Sequence, residues 1–239
     1  MAPLIRVRNL RYRYDDGTVA LNGVNFDLYP GETVALLGPN GSGKTTFVLH
    51  LNGLLHGEGE VTVCGMPVEK PYLDEIRRRV GLLFQDADEQ LFMPTVLEDV
   101  AFGPLCRGMK PAEAEARARA ALKQVRMEGA AHKAPYHLSA GEKRRVALAT
   151  VLASDPEILV LDEPTTWLDP PSQSELLSLL HALPQAKIVV THDTVFAEAI
   201  ATRAVYFERG RIIAEGSVAD LRRRFDWGPR ILPRSAESR

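Results

Sequence analysis

The sequence predicts an α/β fold with a mainly parallel sheet, an antiparallel β part at the N-terminus and a helical subdomain inserted at about 86–153. Three observations carry this. Short apolar runs separated by turn residues fill positions 4–38. From Glu157 onward, apolar runs alternate with helical patterns, as strands joined by crossover helices do. Between these halves, 86–153 shows helical periodicity and no strand pattern.

Element by element, "LIRVRNLRYRY", "VALNGVNFDLY" and "ETVALLG" are strands, separated by the turn pairs Asp16-Gly17 and Pro30-Gly31. A helix follows over about Gly43–Asn52, then the strand "EVTVCG" and the buried strand "RVGLLFQ". "TVLEDVAFGPL" and the alanine-rich "PAEAEARARAALKQV" are helical. "HLSAGEKRR" opens another helix that runs to about Ala153: Ser139 caps its first turn and Glu142 reaches back to the Ser139 N–H. "EILVLD", "PPSQSELLSLLHAL", "KIVVTH" and "DTVFAEAIA" then alternate strand and helix, and "RAVYFERG" with "RIIAEG" closes the fold as a hairpin. Residues 1–220 make one domain, and 221–239 a short, partly mobile C-terminal tail.

Composition excludes several function classes. The 239 residues are 45% apolar and 25% charged, which rules out a disordered chain. Net charge is −2, so no global basic field points to nucleic acid. The clusters Arg77–Arg79, Lys143–Arg145 and Arg222–Arg224 fall in helical patterns and read as solvated faces. Cys64 and Cys106 lack paired spacing, which implies a reducing compartment and no zinc site. The six histidines lack metal-ligand spacing. The start has no apolar leader and no apolar run nears the roughly 20 residues of a spanning helix, so the expected location is cytosolic, with any membrane role supplied by a partner.

The strongest chemical signal is "GPNGSGKTT", 38–46, between an apolar strand and a helix. It matches G-x-x-x-x-G-K-[ST] through Gly38, Gly43, Lys44 and Thr45. Glycines let the backbone curl so that the N–H groups of Pro39-Asn40-Gly41-Ser42 and their neighbours converge on phosphate oxygens, proline excepted. The helix N-terminus faces the same anion. Lys44 supplies a point charge to the β- and γ-phosphates, Thr46 follows, and the Thr45 hydroxyl can ligate Mg²⁺. Such a loop needs a carboxylate for the metal. "EILVLDEP" provides Asp162 for Mg²⁺ and Glu163 to polarise the attacking water. Gln85 and His192 each stand just past a strand C-terminus, the edge where open α/β sheets bind ligands.

In this order the motifs resemble the nucleotide-binding subunits of ABC transporters, P-loop NTPases with a RecA-like fold, over residues 4–220. Gly38–Thr46 is similar to Walker A, Gln85 to the Q-loop, Leu138-Ser139-Ala140-Gly141-Glu142 to the signature, and Asp162-Glu163 to Walker B and its catalytic glutamate. Leu168-Asp169 is similar to the D-loop and His192 to the switch histidine. The resemblance implies ATP and Mg²⁺ as cofactors, with Gln85 among the metal ligands. It also implies that Ser139, Gly141 and Asp169 contact nucleotide, and that Tyr14 stacks on adenine, with Tyr12 its rival. Ala140 and Glu142 depart from the usual LSGGQ, Trp167 stands where glycine is common, and Ala87 replaces a common proline. Within the family, "VGLLFQDADEQLFMPTVLEDVAFGPL" looks like the ATPases of energy-coupling-factor importers, especially those for cobalt and nickel.

That resemblance implies a head-to-tail dimer with itself or a paralogue, each ATP lying between Walker A of one subunit and the signature helix of the other. Transmembrane subunits would dock on about 85–105, at the cytoplasmic face of the membrane. The rival is a soluble ABC-type ATPase acting on nucleic acid or ribosomes, whose second P-loop, long coiled-coil insertion or basic face is missing here. A monomeric P-loop kinase or switch leaves Gln85, the signature and His192 without a role. A nucleotide sensor would fit better without Glu163 or His192.

Overall fold

Antiparallel pairing begins at the N-terminus. β1 (Ile5–Arg13) pairs with β2 (Val19–Leu28), Val7 opposite Phe26 and Tyr12 opposite Leu21. β4 (Glu58–Val63) adds to the other edge of β1, and the two-residue β5 (Met66–Pro67) pairs with β4. This is the four-stranded sheet β2-β1-β4-β5 in the computed structural model, which describes residues 1–225.

The second sheet holds β3 (Thr33–Leu37), β6 (Val80–Leu83), β7 (Ile158–Asp162), β8 (Ala186–Val190), β9 (Arg203–Glu208) and β10 (Arg211–Gly216) in the order β10-β9-β3-β8-β7-β6. All its pairings are parallel except the closing β9–β10 hairpin. β3, β7 and β8 are buried along their whole length, which is why they read as continuous apolar runs. Their side chains alternate between layers. Val34, Leu36, Ile158, Val160, Ile188 and Val190 meet the antiparallel sheet and Phe47 of α1 (Lys44–His50). Leu159, Leu161 and Val189 face the helical layer.

Between β6 and β7 lie α3 (Val96–Cys106), α4 (Pro111–Gln124) and α5 (Ala140–Leu152), packed on one another through Val100, Ala118, Leu122 and Leu148. Thr95 with Glu98, and Ser139 with Glu142, form complete capping boxes. Asp169 caps α6 (Pro170–Ala182), and Asp193 caps α7 (Thr194–Ile200). No helix among the described residues is long and apolar enough to cross a membrane.

Three features differ from the sequence reading. α2 (Leu73–Arg79) gives bounds to the helical pattern read only around Arg77–Arg79: Ile76 alone is buried in it, so it carries no apolar stripe to mark where it starts. α8 (Val218–Arg224) crosses the boundary drawn at 220, anchored by buried Val218 and Leu221; the rest of the tail, 226–239, lies outside the described residues. The triplet Lys143–Arg145 is no solvated face. Lys143 pairs with Asp88, Arg145 pairs with Glu175, and Arg144 is buried.

Candidate functional site

The loop after β3 is built for close approach. Gly38 has φ +134°, and a Cβ there would lie 2.1 Å from the Phe207 carbonyl oxygen. Gly43 has φ +105°, and its Cβ would lie 2.4 Å from the Ala20 carbonyl oxygen. A side chain at either position would force the loop off β9 and β2. Lys44 then begins α1, its ammonium folded back to donate to the carbonyls of Gly38 at 2.7 Å and Pro39 at 2.9 Å. Burial holds the Lys44 pKa below its ordinary value, against the opposing pull of Glu163 and Asp162. Such a partly desolvated ammonium beside a ring of backbone N–H groups favours an anion.

A cavity of about 480 Å³ opens over this loop, within the range of small-ligand sites. Asn40, Gly41, Gly43, Lys44, Thr45 and Thr46 form its floor. Tyr14, Gln85, Glu163 and His192 line it as well. Ser42 is buried beneath, its carbonyl accepting from the Gly210 N–H at 2.9 Å. Tyr14 lies just past β1, its hydroxyl 2.9 Å from that of Thr46. Tyr12 meets Tyr14 edge-on at 5.0 Å and packs its other side on His50, away from this cavity. Thr18, Val19, Ala20, Thr166 and Val190 also line the cavity and were missed from sequence. The Asp16-Gly17 turn was the available signal for the first three, because it folds β2 back beside Tyr14.

Asp162 ends β7 buried, and among the described residues its Oδ1 has no hydrogen-bond partner. Burial raises its carboxyl above the usual range, opposed by the nearby Thr45 hydroxyl and the charge of Lys44. An orphaned, buried carboxylate oxygen next to a threonine hydroxyl is a fit for a divalent cation. Thr45 and Asp162 share a second cavity, of about 420 Å³, with Gln85 and Trp167. Among the described residues no three His, Cys, Asp or Glu side chains gather as a ready metal cage. A cation here would therefore draw further oxygens from phosphate or water.

Glu163 adopts a left-handed φ of +45°, with its N–H tied to the Val190 carbonyl at 2.8 Å. That strained turn sends the side chain out over the loop. Its Oε2 accepts from His192 Nδ1 at 2.8 Å. A carboxylate that is buried, oriented by an imidazole and next to a phosphate cradle can serve as a general base.

Ser139, Gly141 and Asp169 do not line the cavity that holds Lys44 and Glu163. They gather elsewhere. A Cβ on Gly141 would lie 2.6 Å from the Ser172 hydroxyl, and the Ser172 N–H donates to Asp169 Oδ1 at 3.0 Å. Glu142 folds back to accept from the Ser139 N–H at 2.8 Å, and that bond lowers the pKa of its carboxyl.

Known proteins match this arrangement. The ABC transporter family matches residues 21–166. The energy-coupling factor transporter ATP-binding protein EcfA of Methanocaldococcus jannaschii is 47% identical over 224 residues, covering 91% of this chain and 80% of its own. The structure of cbiO1 from Clostridium perfringens, part of the ABC transporter complex cbiONQ, superposes with TM-score 0.84 at 35% identity, covering 92% of this chain and 91% of that one. A dimeric post-hydrolysis structure of the ATP-binding cassette MJ0796, bound to ADP and Pi, gives TM-score 0.80 at 31% identity, covering 90% and 98%. With its phosphate loop, strand-end acids and fold accounted for, the chain belongs to the ABC transporter family, as an ATP-hydrolysing subunit.

Proposed function

We propose that the chain is the motor subunit of an energy-coupling-factor importer for cobalt or nickel ions, vitamins being the other cargo class. The likeness to EcfA and to a member of the cbiONQ complex supports the importer type. The observation that carries the motor reading is a separation. The phosphate loop, Glu163 and His192 share one cavity, while Ser139, Gly141 and Asp169 form a group outside it. A helix N-terminus built like that of α5 serves an anion well, and here the anion would sit on another subunit's loop.

In this mechanism ATP lies along the loop, its base on Tyr14 and its β- and γ-phosphates against the N–H groups of residues 40–45. Lys44 exchanges the carbonyls of Gly38 and Pro39 for phosphate oxygens. Thr45, Asp162 and Gln85 would hold Mg²⁺, which when bound neutralises phosphate charge and fixes its geometry. A second copy, or a paralogue, closes head to tail and brings its Ser139, Gly141 and Asp169. Glu163 takes a proton from the attacking water, and His192 keeps that carboxylate aimed. Charge repulsion between the products then reopens the dimer.

Transmembrane subunits dock on about 85–105, which places the chain at the cytoplasmic face of the membrane. Phe92 is 62% exposed and meets Phe102 edge-on at 5.0 Å, an aromatic pair presented to solvent. Beneath it, Asp99 Oδ1 accepts from the N–H groups of Phe92 and Met93, both at 3.0 Å, which fixes the loop. The test is affinity purification of the tagged chain from detergent-solubilised native membranes. Integral membrane proteins should co-purify and be lost on Phe92→Asp with ATP binding unchanged. Recovery of ribosomes or nucleic acid instead would overturn the reading. Uptake of radiolabelled cobalt, nickel or vitamin into vesicles carrying the complex decides the cargo.

A further inference from the structure

Arg144, in the first half of α5, is 3% exposed. Its Nη1 donates to the Phe84 carbonyl at 2.6 Å and its Nη2 to the Gln85 carbonyl at 2.5 Å, while Nε is buried without an acceptor among the described residues. Among the described residues no carboxylate pairs with it; Asp86 and Asp162 act on it only as more distant charges. Burial pushes the guanidinium pKa down. A buried cation answered only by main-chain oxygens is a poor device for stability, since an apolar side chain of similar volume would avoid the desolvation cost. What it does provide is a rigid two-pronged grip on two consecutive carbonyls.

Those carbonyls belong to the first residues after β6, where the chain turns toward the phosphate loop. Gln85 lines both cavities described above, yet among the described residues its side chain has no hydrogen-bond partner. Its aim is therefore set by its backbone, which Arg144 holds. The same helix is stitched to the same segment twice more. Lys143 pairs with Asp88, and Gln90 donates to the Ala147 carbonyl at 2.9 Å and the Thr150 hydroxyl at 2.6 Å. Gln90 Oε1 in turn accepts from the Phe84 N–H at 3.3 Å. Five residues before Arg144, on the same helix, stands the Ser139 cap.

We propose that Arg144 is a positioning residue for Gln85. Its fork locks the peptide that aims Gln85 at the phosphate cavity, so that the Ser139 end of α5 and the Gln85 side chain move as one body. Nucleotide seen by Gln85 is thereby felt at the face offered to the second subunit. This inference rests on the proposed ATPase site and assigns to it a residue that touches neither nucleotide nor metal.

The test is steady-state ATPase kinetics of the purified full chain with Arg144→Met, Gln85→Ala and the double variant, and Lys44→Ala as the control for the site itself. Arg144→Met should lower kcat by about five- to tenfold while the KM for MgATP changes by less than about twofold. In the Gln85→Ala background the same change should have almost no further effect. Arg144→Lys, which can reach one carbonyl, should fall between. If Arg144→Met does not fold, judged by circular dichroism, Arg144→Lys carries the same cycle with Gln85→Ala. An equal loss in both backgrounds, or no loss in either, overturns the proposal while the ATPase reading stands. Absence of Lys44-dependent hydrolysis in the unaltered chain overturns both.

Discussion

Glu163 Oε2 and His192 Nδ1 lie 2.8 Å apart, joining the ends of the neighbouring strands β7 and β8 over the phosphate loop. Because a carboxylate only accepts, His192 carries its proton on Nδ1. His192 is largely exposed and Glu163 is not, so the imidazole faces solvent while the carboxylate it orients is enclosed. Both His192 contacts fall on Oε2, and among the described residues Oε1 accepts no hydrogen bond.

Glu163→Gln keeps the size and much of the hydrogen bonding of this side chain and removes its basicity. The kcat for ATP hydrolysis should fall by about 10²- to 10⁴-fold, with ATP still bound and a dimer accumulating on size-exclusion chromatography. His192→Ala should cost less, and in the Glu163→Gln background almost nothing more, because the two act as a unit. An unimpaired rate in Glu163→Gln removes it as the base.

How much of this was legible beforehand depends on whether a residue's role is local. Gly38, Lys44 and Thr45 belong to one contiguous loop, where the Lys44 ammonium donates to the Gly38 carbonyl, so spacing alone locates them. β3, β7 and β8 announce themselves because strands buried on both faces are continuous apolar runs. Around α2 the helical pattern of Arg77–Arg79 shows without bounds, because one buried residue makes no stripe, and β5 does not show because two residues make no pattern. Arg144 was misread for a deeper reason. A charged residue in a charged triplet looks solvated, and only the folded chain shows two carbonyls from residues 59 and 60 positions away waiting for it. The left-handed φ of Glu163 had no sequence signal either, since that conformation usually calls for glycine or asparagine.

His50 supplies a pH dependence. It is buried at the end of α1, with Nδ1 2.7 Å from the Thr46 carbonyl and Nε2 without a partner among the described residues. Burial lowers its pKa below 6.5, with the Thr46 bond opposing and His56 adding to the shift. The unfolded chain therefore binds more protons than the folded one between the lowered value and 6.5. Stability from this group is full above that window and is lost as pH falls through it, by at most about 1.4 kcal/mol per pH unit. Thermal melts of the nucleotide-free protein should shift downward from pH 7.5 to pH 5.5, and His50→Phe should flatten that dependence. An unchanged slope in the variant would assign the effect to other groups.

The Ser139–Glu142 capping box separates stability from function at the start of α5. Glu142→Gln retains both halves of the box, so unfolding free energy should stay within about 0.5 kcal/mol of the parent. Ser139→Ala loses the cap and should cost about 1 kcal/mol in denaturant unfolding. Because Glu142 is turned back on Ser139 rather than outward, restoring the common glutamine should raise ATPase activity little. A large gain would mean that its charge reaches the partner's nucleotide.

The placement of Ser139 outside the cavity of its own phosphate loop makes a prediction about pairs of subunits. Ser139→Arg puts a bulky cation on the face that, in the proposed dimer, would meet a second molecule, and leaves its own loop intact. Lys44→Ala disables a loop and leaves its Ser139 face intact. Each variant alone forms dimers with two defective sites and should hydrolyse little ATP. Co-expressed, they form mixed dimers in which one site joins the intact loop of one subunit to the intact cap of the other. The second site of each mixed dimer carries both defects. Random pairing into two-fold dimers leaves about a quarter of all sites complete, so ATPase activity should recover to about that fraction of the parent if sites act independently. Recovery requires the cap to serve a neighbour's phosphate. A mixture no more active than its parents, with mixed dimers verified by differential tags, would return Ser139 to the role of a helix cap and nothing else.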